Sequence, residues 1–262
     1  MTNEQEQIRV WERVEVERSA AEASHKDLAS LRYTDENLGR YLDPPADTVY
    51  PLEYAYHLLG DVRGKTVLDL GCGDGENTVL LAKRGARVLG MDISEDLIRV
   101  ARRRLEANGI TSGVDFMVTS AHNISLADEA VDVVFGMAIL HHLDLKLAAR
   151  EIRRILRKGG RAIFQEPVRN SKAVARVREL IPYRSPDVSP FERPLSEREL
   201  REFAEGYAGY RGRSFALPFV NLLGVLFKDR FVHPALRFDG AVLRAFPALG
   251  HFATTRVVEM TK

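Results

Sequence analysis

The sequence predicts an α/β protein built on a doubly wound, largely parallel sheet. Short apolar runs alternate with helix-spaced segments through the middle of the chain, at a spacing that suits strand–helix–strand units. One run, Val131 to Met137, is apolar enough to be covered on both faces, as a strand inside such a sheet must be. A third observation is the passage from Val67-Leu68-Asp69-Leu70 through Gly71-Cys72-Gly73-Asp74-Gly75 into a helix at Glu76. Glycine at every second position removes Cβ atoms from a tight strand-to-helix turn, so the backbone can take unusual torsions and lie close to a ligand. The helix behind the turn offers unpaired N–H groups.

The elements follow in order. Residues 1–60 open with a charged, helical segment, Glu4 to Arg32, whose apolar stripe (Trp11, Val14, Val16) is weak. Asp43-Pro44-Pro45 breaks the chain, and Tyr50, Tyr54 and Tyr56 form an aromatic cluster, with Tyr33 and Tyr41 upstream. After the glycine turn, Arg87 to Asp92 is a second strand ending in an acid, 17 positions beyond Gly75. An acid there can accept both hydroxyls of a ribose. Ser94 reads as an N-cap with Glu95 and Asp96 in the first turn. Its helix runs through Leu97, Ile98, Ala101 and Leu105 to Gly109. Val114 to Val118 is a third strand and Val131 to Met137 a fourth. Leu147 to Leu156 mark a helix ending at Gly159-Gly160, and Arg161 to Gln165 is a fifth strand.

Beyond it, Pro182, Pro186, Pro190 and Pro194 recur every four residues and rule out a continuous helix, so a loop is expected over the strand ends. Ser196-x-x-Glu199 has the form of a capping box opening a helix to Glu205. Tyr210 to Leu217 and Ala253 to Met260 are the remaining strand candidates. Between them an apolar insertion, 218–248, includes Phe219, Leu222, Phe227, Phe231, Leu236, Phe238, Leu243 and Phe246. It suits core, a homodimer contact or the wall of an acceptor pocket. The organisation read from the chain is thus a helical lid over 1–60, a cofactor-binding core over 61–170, and 171–262 carrying the substrate loop, the insertion and the last strands.

The turn also narrows the cofactor. A dinucleotide fingerprint reads G-x-G-x-x-G, but here the third glycine comes one residue early, and Asp69 and Asp74 would repel a pyrophosphate. An acidic turn suits a cationic or zwitterionic ligand. On these residues the chain resembles the class I S-adenosylmethionine-dependent methyltransferases, whose first motif is hh-D-h-G-x-G-x-G. The likeness runs from about Val62 to Pro167. It implies a Rossmann-like sheet of seven strands, the last two an antiparallel hairpin, with N-terminal helices closing over the site. It implies that Asp69, Gly71, Gly73 and Gly75 line the methionine end of the cofactor, that Asp92 holds the ribose and that Ile93 packs on the adenine. Members often carry G-D-A after the third strand, its acid meeting the adenine amine. Here Thr119-Ser120-Ala121 stands there, followed by His122, so a hydroxyl replaces the charge. Met137 and Ala138 are expected near the methyl donor. His141-His142-Leu143 resembles the L-H-H-L signature of ubiquinone- and menaquinone-type methyltransferases.

The expected activity is methyl transfer from S-adenosylmethionine, leaving S-adenosylhomocysteine, to an oxygen or carbon of a small, hydrophobic organic acceptor, with nitrogen open. His141 and His142 are candidate bases, with Tyr183 and Glu166 behind them. A structural role at the end of the fourth strand is the alternative for the histidines, and capping for Glu166. Two rival functions are a non-catalytic cofactor-binding partner subunit and an NAD(P)-dependent oxidoreductase. Cys72, the lone cysteine, lies inside the turn with no metal-ligand spacing and is expected to be a packed side chain, which fits a reducing cytoplasm. A net charge of +1 over 262 residues gives no field for a polyanion, and the Arg-rich helices read as solvated faces rather than a nucleic-acid surface. No apolar run reaches the length of a membrane span, and no N-terminal apolar signal is expected.

Overall fold

A computed structural model describes residues 3–24, 31–171, 193–218 and 232–262. Pro182, Tyr183, Pro186 and Pro190 lie outside the described residues, as does 219–231 of the insertion. Seven strands make one sheet: β1 (Thr66–Leu70), β2 (Arg87–Asp92), β3 (Val114–Val118), β4 (Val131–Met137), β5 (Leu156–Pro167), β6 (Gly209–Phe215) and β7 (Thr255–Thr261). Their order is β3-β2-β1-β4-β5-β7-β6. β1 to β5 pair in parallel, and β7 runs antiparallel between β5 and β6. The order reverses at β1 and β4, the crevice where ligands bind in open α/β sheets.

The helices are α1 (Asn3–Ser24), α2 (Asp35–Leu42), α3 (Pro51–Leu59), α4 (Glu76–Lys83), α5 (Glu95–Ala107), α6 (Leu145–Ile155), α7 (Glu197–Phe203) and α8 (Val232–Ala245). Strand alternation sorts the core into two layers. Leu68, Leu70, Val134, Phe164 and Met260 pack under α6 and α7. Val67, Val133, Phe135, Ile163 and Val257 pack under α3 and α4, around the fully buried Tyr56. Arg161 ties α3 to the sheet by donating to the carbonyls of Leu58 and Leu59. Arg84 ties α2, α3 and the end of α4 together through the carbonyls of Tyr41, Tyr56 and Gly60.

The caps expected at Ser94 and Ser196 are formed. Ser94 Oγ accepts from Leu97 N, and Ser196 with Glu199 closes both arms of a capping box. One boundary differs from expectation. α6 stops at Ile155 rather than at Gly159-Gly160, because Leu156 already pairs with Val131 as the first residue of β5, with a register shift after it. In the insertion, Phe238 and Phe246 of the α8 region are 67% and 63% exposed, so neither belongs to the core. α8 is anchored instead by buried Asp239, which accepts from the backbone N–H of Leu217. Among the described residues, no helix is long and apolar enough to cross a membrane.

Candidate active site

Two cavities flank the glycine turn at the carboxyl ends of β1, β2 and β4. The first, about 220 Å³, is bordered by Gly71, Gly73 and Asp74 of the turn, Asp92 and Ile93 after β2, Ser120 and Ala121 after β3, and Ala138, Ile139, His142 and Leu143 after β4. Its outer wall is α1, through Trp11, Glu12, Glu15, Arg18, Ser19 and Glu22. The second, about 320 Å³, lies among Tyr33, Asn37, Tyr41, Leu52, Glu76, Asn77, Leu80, Met137 and Gln165.

The turn is held from both sides. Gly71, Gly73 and Gly75 all have positive φ, and a Cβ on Gly71 or Gly75 would strike Ile139 at 2.5 Å or Ala101 at 2.8 Å. A Cβ on Gly73 would meet no atom within 4 Å and would stand in the first cavity. Asp92 Oδ2 accepts from Gly73 N at 2.9 Å, and Oδ1 accepts from Ser94 N at 2.9 Å. The carboxylate is therefore fixed, with a second lone pair on each oxygen. Burial raises its pKa, and the backbone donors oppose that rise. Behind the turn, Arg104 of α5 donates to the Asp74 carboxylate at 2.6 Å and to the Asp74 carbonyl at 2.9 Å.

Three residues expected at the cofactor, Asp69, Gly75 and Met137, do not border the first cavity. Asp69 points under α4, on the Val67 side of the sheet, and its carboxylate accepts from Thr78 Oγ1 at 2.5 Å. Burial pushes Asp69 up to about 7. Gly75 serves as the N-cap of α4, where its lack of a side chain allows α4 and α5 to approach. Cys72 is buried, and burial raises its thiol well above the ordinary range, as expected of packing rather than nucleophilic chemistry.

Strand alternation separates the residues at the end of β4. Met137 shares the α3/α4 face with Phe135 and enters the second cavity, whereas Ala138 and Ile139 border the first. On β5, Gln165 faces the second cavity, and its Oε1 is buried without a hydrogen-bond partner among the described residues. Glu166, fully buried, faces the other way. Its Oε1 accepts from the backbone N–H groups of Ile139 and Leu140 at 2.9 and 2.8 Å. Its Oε2 accepts from His141 Nδ1 at 2.8 Å. The neighbouring histidines thus have different surroundings. His141 is a buried brace that borders neither cavity. His142 borders the first, with Nδ1 3.4 Å from Glu15 Oε2 but not aligned for a hydrogen bond.

The arrangement fits S-adenosylmethionine. A fixed carboxylate stands where a ribose diol can donate to it. Ile93, Leu97, Ala121 and Leu143 offer an apolar slot for a base, Gly73 leaves room for backbone contact, and the acids suit a sulfonium and an ammonium. A diphosphate would meet Asp74, Asp92, Glu12, Glu15 and Glu22, with Arg18 the only arginine or lysine along the lining among the described residues.

Comparisons with known proteins agree. A family model described as "Methyltransferase domain" matches residues 68–164. The ubiquinone biosynthesis O-methyltransferase of Coxiella burnetii (strain RSA 331 / Henzerling II) is 31% identical over 203 residues, covering 68% of this chain and 83% of that protein. The chain belongs to the class I S-adenosylmethionine-dependent methyltransferases. Methyltransferase GfsG of Streptomyces halstedii is 34% identical over 153 residues, 54% of either chain, so the match spans about half the length of that curated relative. Among solved structures, geranyl diphosphate C-methyltransferase from Streptomyces coelicolor A3(2) shares the fold with a TM-score of 0.55 at 20% identity, covering 79% of this chain and 76% of that one. The [4+2]-cyclase SpnF shares it with a TM-score of 0.53 at 22% identity, covering 76% of each. One fold thus hosts different reactions, and the site must carry the functional reading of this methyltransferase-family chain.

Of the residues that the sequence assigns to the cofactor, Gly71, Gly73, Asp92, Ile93, Ser120 and Ala121 border the first cavity, and Asp69, Gly75 and Met137 do not. Sequence reasoning missed Glu12, Glu15, Arg18, Ser19 and Glu22. The one available signal was the hydroxyl at Ser120 in place of an acid, which invites a search for a carboxylate elsewhere.

Proposed function

We propose that the chain transfers a methyl group from S-adenosylmethionine to an oxygen or carbon, with nitrogen open, of a small organic acceptor with an apolar body. The observation that carries this reading is the pair of cavities on either side of the glycine turn and of the end of β4, with Ala138 bordering one and Met137 the other. S-adenosylmethionine, when bound, supplies a methyl on a positively charged sulfur with a neutral leaving group. Because little charge has to be created, the work of the chain is alignment and exclusion of water.

In this reading Asp92 and Gly73 orient the nucleoside, and α1 covers it from solvent. The acceptor's body rests in the second cavity against Met137, Leu52, Leu80 and the rings of Tyr33 and Tyr41. The orphan Gln165 Oε1 demands a hydroxyl or amine donor from it. No lysine or arginine borders that cavity among the described residues, which favours a neutral acceptor over a diphosphate. A phenol of the kind implied by the name ubiquinone biosynthesis O-methyltransferase suits these walls. His142 is the residue to which we assign acceptance of a proton from a hydroxyl reaching the partition at Ala138. His141, with Glu166, positions the segment that carries it.

The test is titration calorimetry with S-adenosylmethionine and S-adenosylhomocysteine, with NAD⁺ and NADP⁺ as controls, followed by transfer of labelled methyl to neutral phenols and catechols. Micromolar binding of the first two and label in a phenol ether or on a ring carbon support the proposal. Nicotinamide-cofactor binding would restore an oxidoreductase, and tight cofactor binding without transfer to any acceptor would favour a binding subunit.

A further inference from the structure

We propose that Glu12, carried on α1, reads the exocyclic amine of the cofactor's adenine, so that base recognition is supplied from outside the sheet. This rests on the first cavity being the S-adenosylmethionine site. With the ribose on Asp92, the base extends along Ile93 and Ala121, and the polar groups beyond them are Ser120, His122 and Glu12.

Their hydrogen bonds assign their roles. His122 Nε2 accepts from the backbone N–H of Asp144 at 3.0 Å, so its proton sits on Nδ1. That Nδ1–H donates to Glu12 Oε1 at 2.9 Å. Ser120 Oγ accepts from His122 N at 3.1 Å and donates its hydroxyl hydrogen to the same Glu12 Oε1 at 2.5 Å. Two core residues, 108 and 110 positions away in sequence, thus aim donors at one oxygen of one helix-borne carboxylate. Their donor capacity is used in holding Glu12. Glu12 Oε2 keeps its capacity for a further donor, and the carboxylate is the strongest acceptor at this end of the slot. Adenine presents an amine there. Hypoxanthine presents a carbonyl oxygen, which a carboxylate repels.

The contrast defines the experiment. S-adenosylhomocysteine and S-inosylhomocysteine, in which the amine becomes a carbonyl oxygen and the neighbouring ring nitrogen gains a hydrogen, are titrated by calorimetry into the wild type, Glu12→Gln and Glu12→Ala. The wild type should prefer the adenosyl ligand by about 10-fold or more. Glu12→Gln should lose about 10-fold in adenosyl affinity and gain in inosyl affinity, because its amide can turn an N–H₂ towards the carbonyl. Glu12→Ala should bind the two ligands about equally. If Glu12→Gln weakened both ligands by the same factor, Glu12 would merely dock α1, and the proposal would fall. It would fall equally if the substitutions left the preference intact. Asp92→Ala serves as the control, lowering both affinities together. A wild type that binds neither ligand would instead overturn the cofactor reading beneath the proposal.

Discussion

Removing the Glu166 carboxylate should unfasten the segment after β4. Three donors converge on it: the N–H groups of Ile139 and Leu140 and the imidazole N–H of His141, at 2.8 to 2.9 Å. Glu166 is 0% and His141 6% exposed, so water does not replace the lost acceptor. Each buried donor left unsatisfied costs about 1–3 kcal/mol, and breaking a buried pair by removing one partner typically costs about 3–5 kcal/mol. Glu166→Ala should therefore lose about 4 kcal/mol, which for a chain of this size lowers Tm by roughly 8–16 °C. Glu166→Gln separates the contributions. Its amide oxygen still accepts from the two backbone N–H groups. Its N–H₂ faces His141 Nδ1, whose proton must move to Nε2. The expected loss is about 1 kcal/mol, the net worth of one hydrogen bond. Urea unfolding at pH 7.5, followed by fluorescence and circular dichroism with coincident transitions, measures both. A Glu166→Ala variant within about 1 kcal/mol of wild type, or a Gln variant as damaged as the Ala variant, would refute the reasoning.

Asp92→Asn should weaken S-adenosylhomocysteine binding by about 10- to 100-fold, the worth of hydrogen bonds to a charged acceptor, with the unfolding midpoint changed far less; calorimetry reads it. Gly73→Ala should also weaken binding, because its methyl would stand in the cavity. Gly75→Ala should instead cost about 1–3 kcal/mol of stability, because its Cβ would meet Ala101 at a left-handed backbone position. The two glycine variants should differ in which assay they fail. Asp69 gives a pH signature. Its carboxyl is raised from 3.8 to about 7 on folding. Between those values the folded state keeps a proton that the unfolded state has released, so stability falls as pH rises through that window and is level above it. Asp69→Asn keeps an acceptor for Thr78 and abolishes the titration. The stability of wild type relative to the variant should decline by up to about 4 kcal/mol from pH 4 to 7, and a flat difference would contradict the burial of Asp69.

What was legible in the sequence was local. The glycine turn, the acid ending β2 and the two serine caps are each specified by residues within a few positions of one another. The end of α6 was not, because Gly159-Gly160 looks like a helix stop while the true stop is set by pairing of Leu156 with Val131 on another strand. The same limit applies at the site. Asp69 and Gly75 carry the motif's letters but face the packing between helices, since strand parity and helix contact decide direction. Glu12 and its neighbours on α1 sit beside only a weak apolar stripe, Trp11, Val14 and Val16. Ser120 and His122, the partners of Glu12, lie more than a hundred residues away, and a long-range polar contact has no periodicity.

The wall that α1 lends to the first cavity bears on how this chain can be recombined. The stretch matched by the family model, 68–164, holds Asp92, Ser120 and His142 but none of Glu12, Glu15, Arg18 or Glu22. A chimera that grafts only that stretch onto another N-terminal region would inherit the cavity's floor without its outer side. Its solvent exposure and its choice among nucleosides would then follow the donor of the helix rather than the donor of the sheet. If Glu12 reads the base as proposed, swapping α1 between relatives while leaving the sheet untouched would alter cofactor preference.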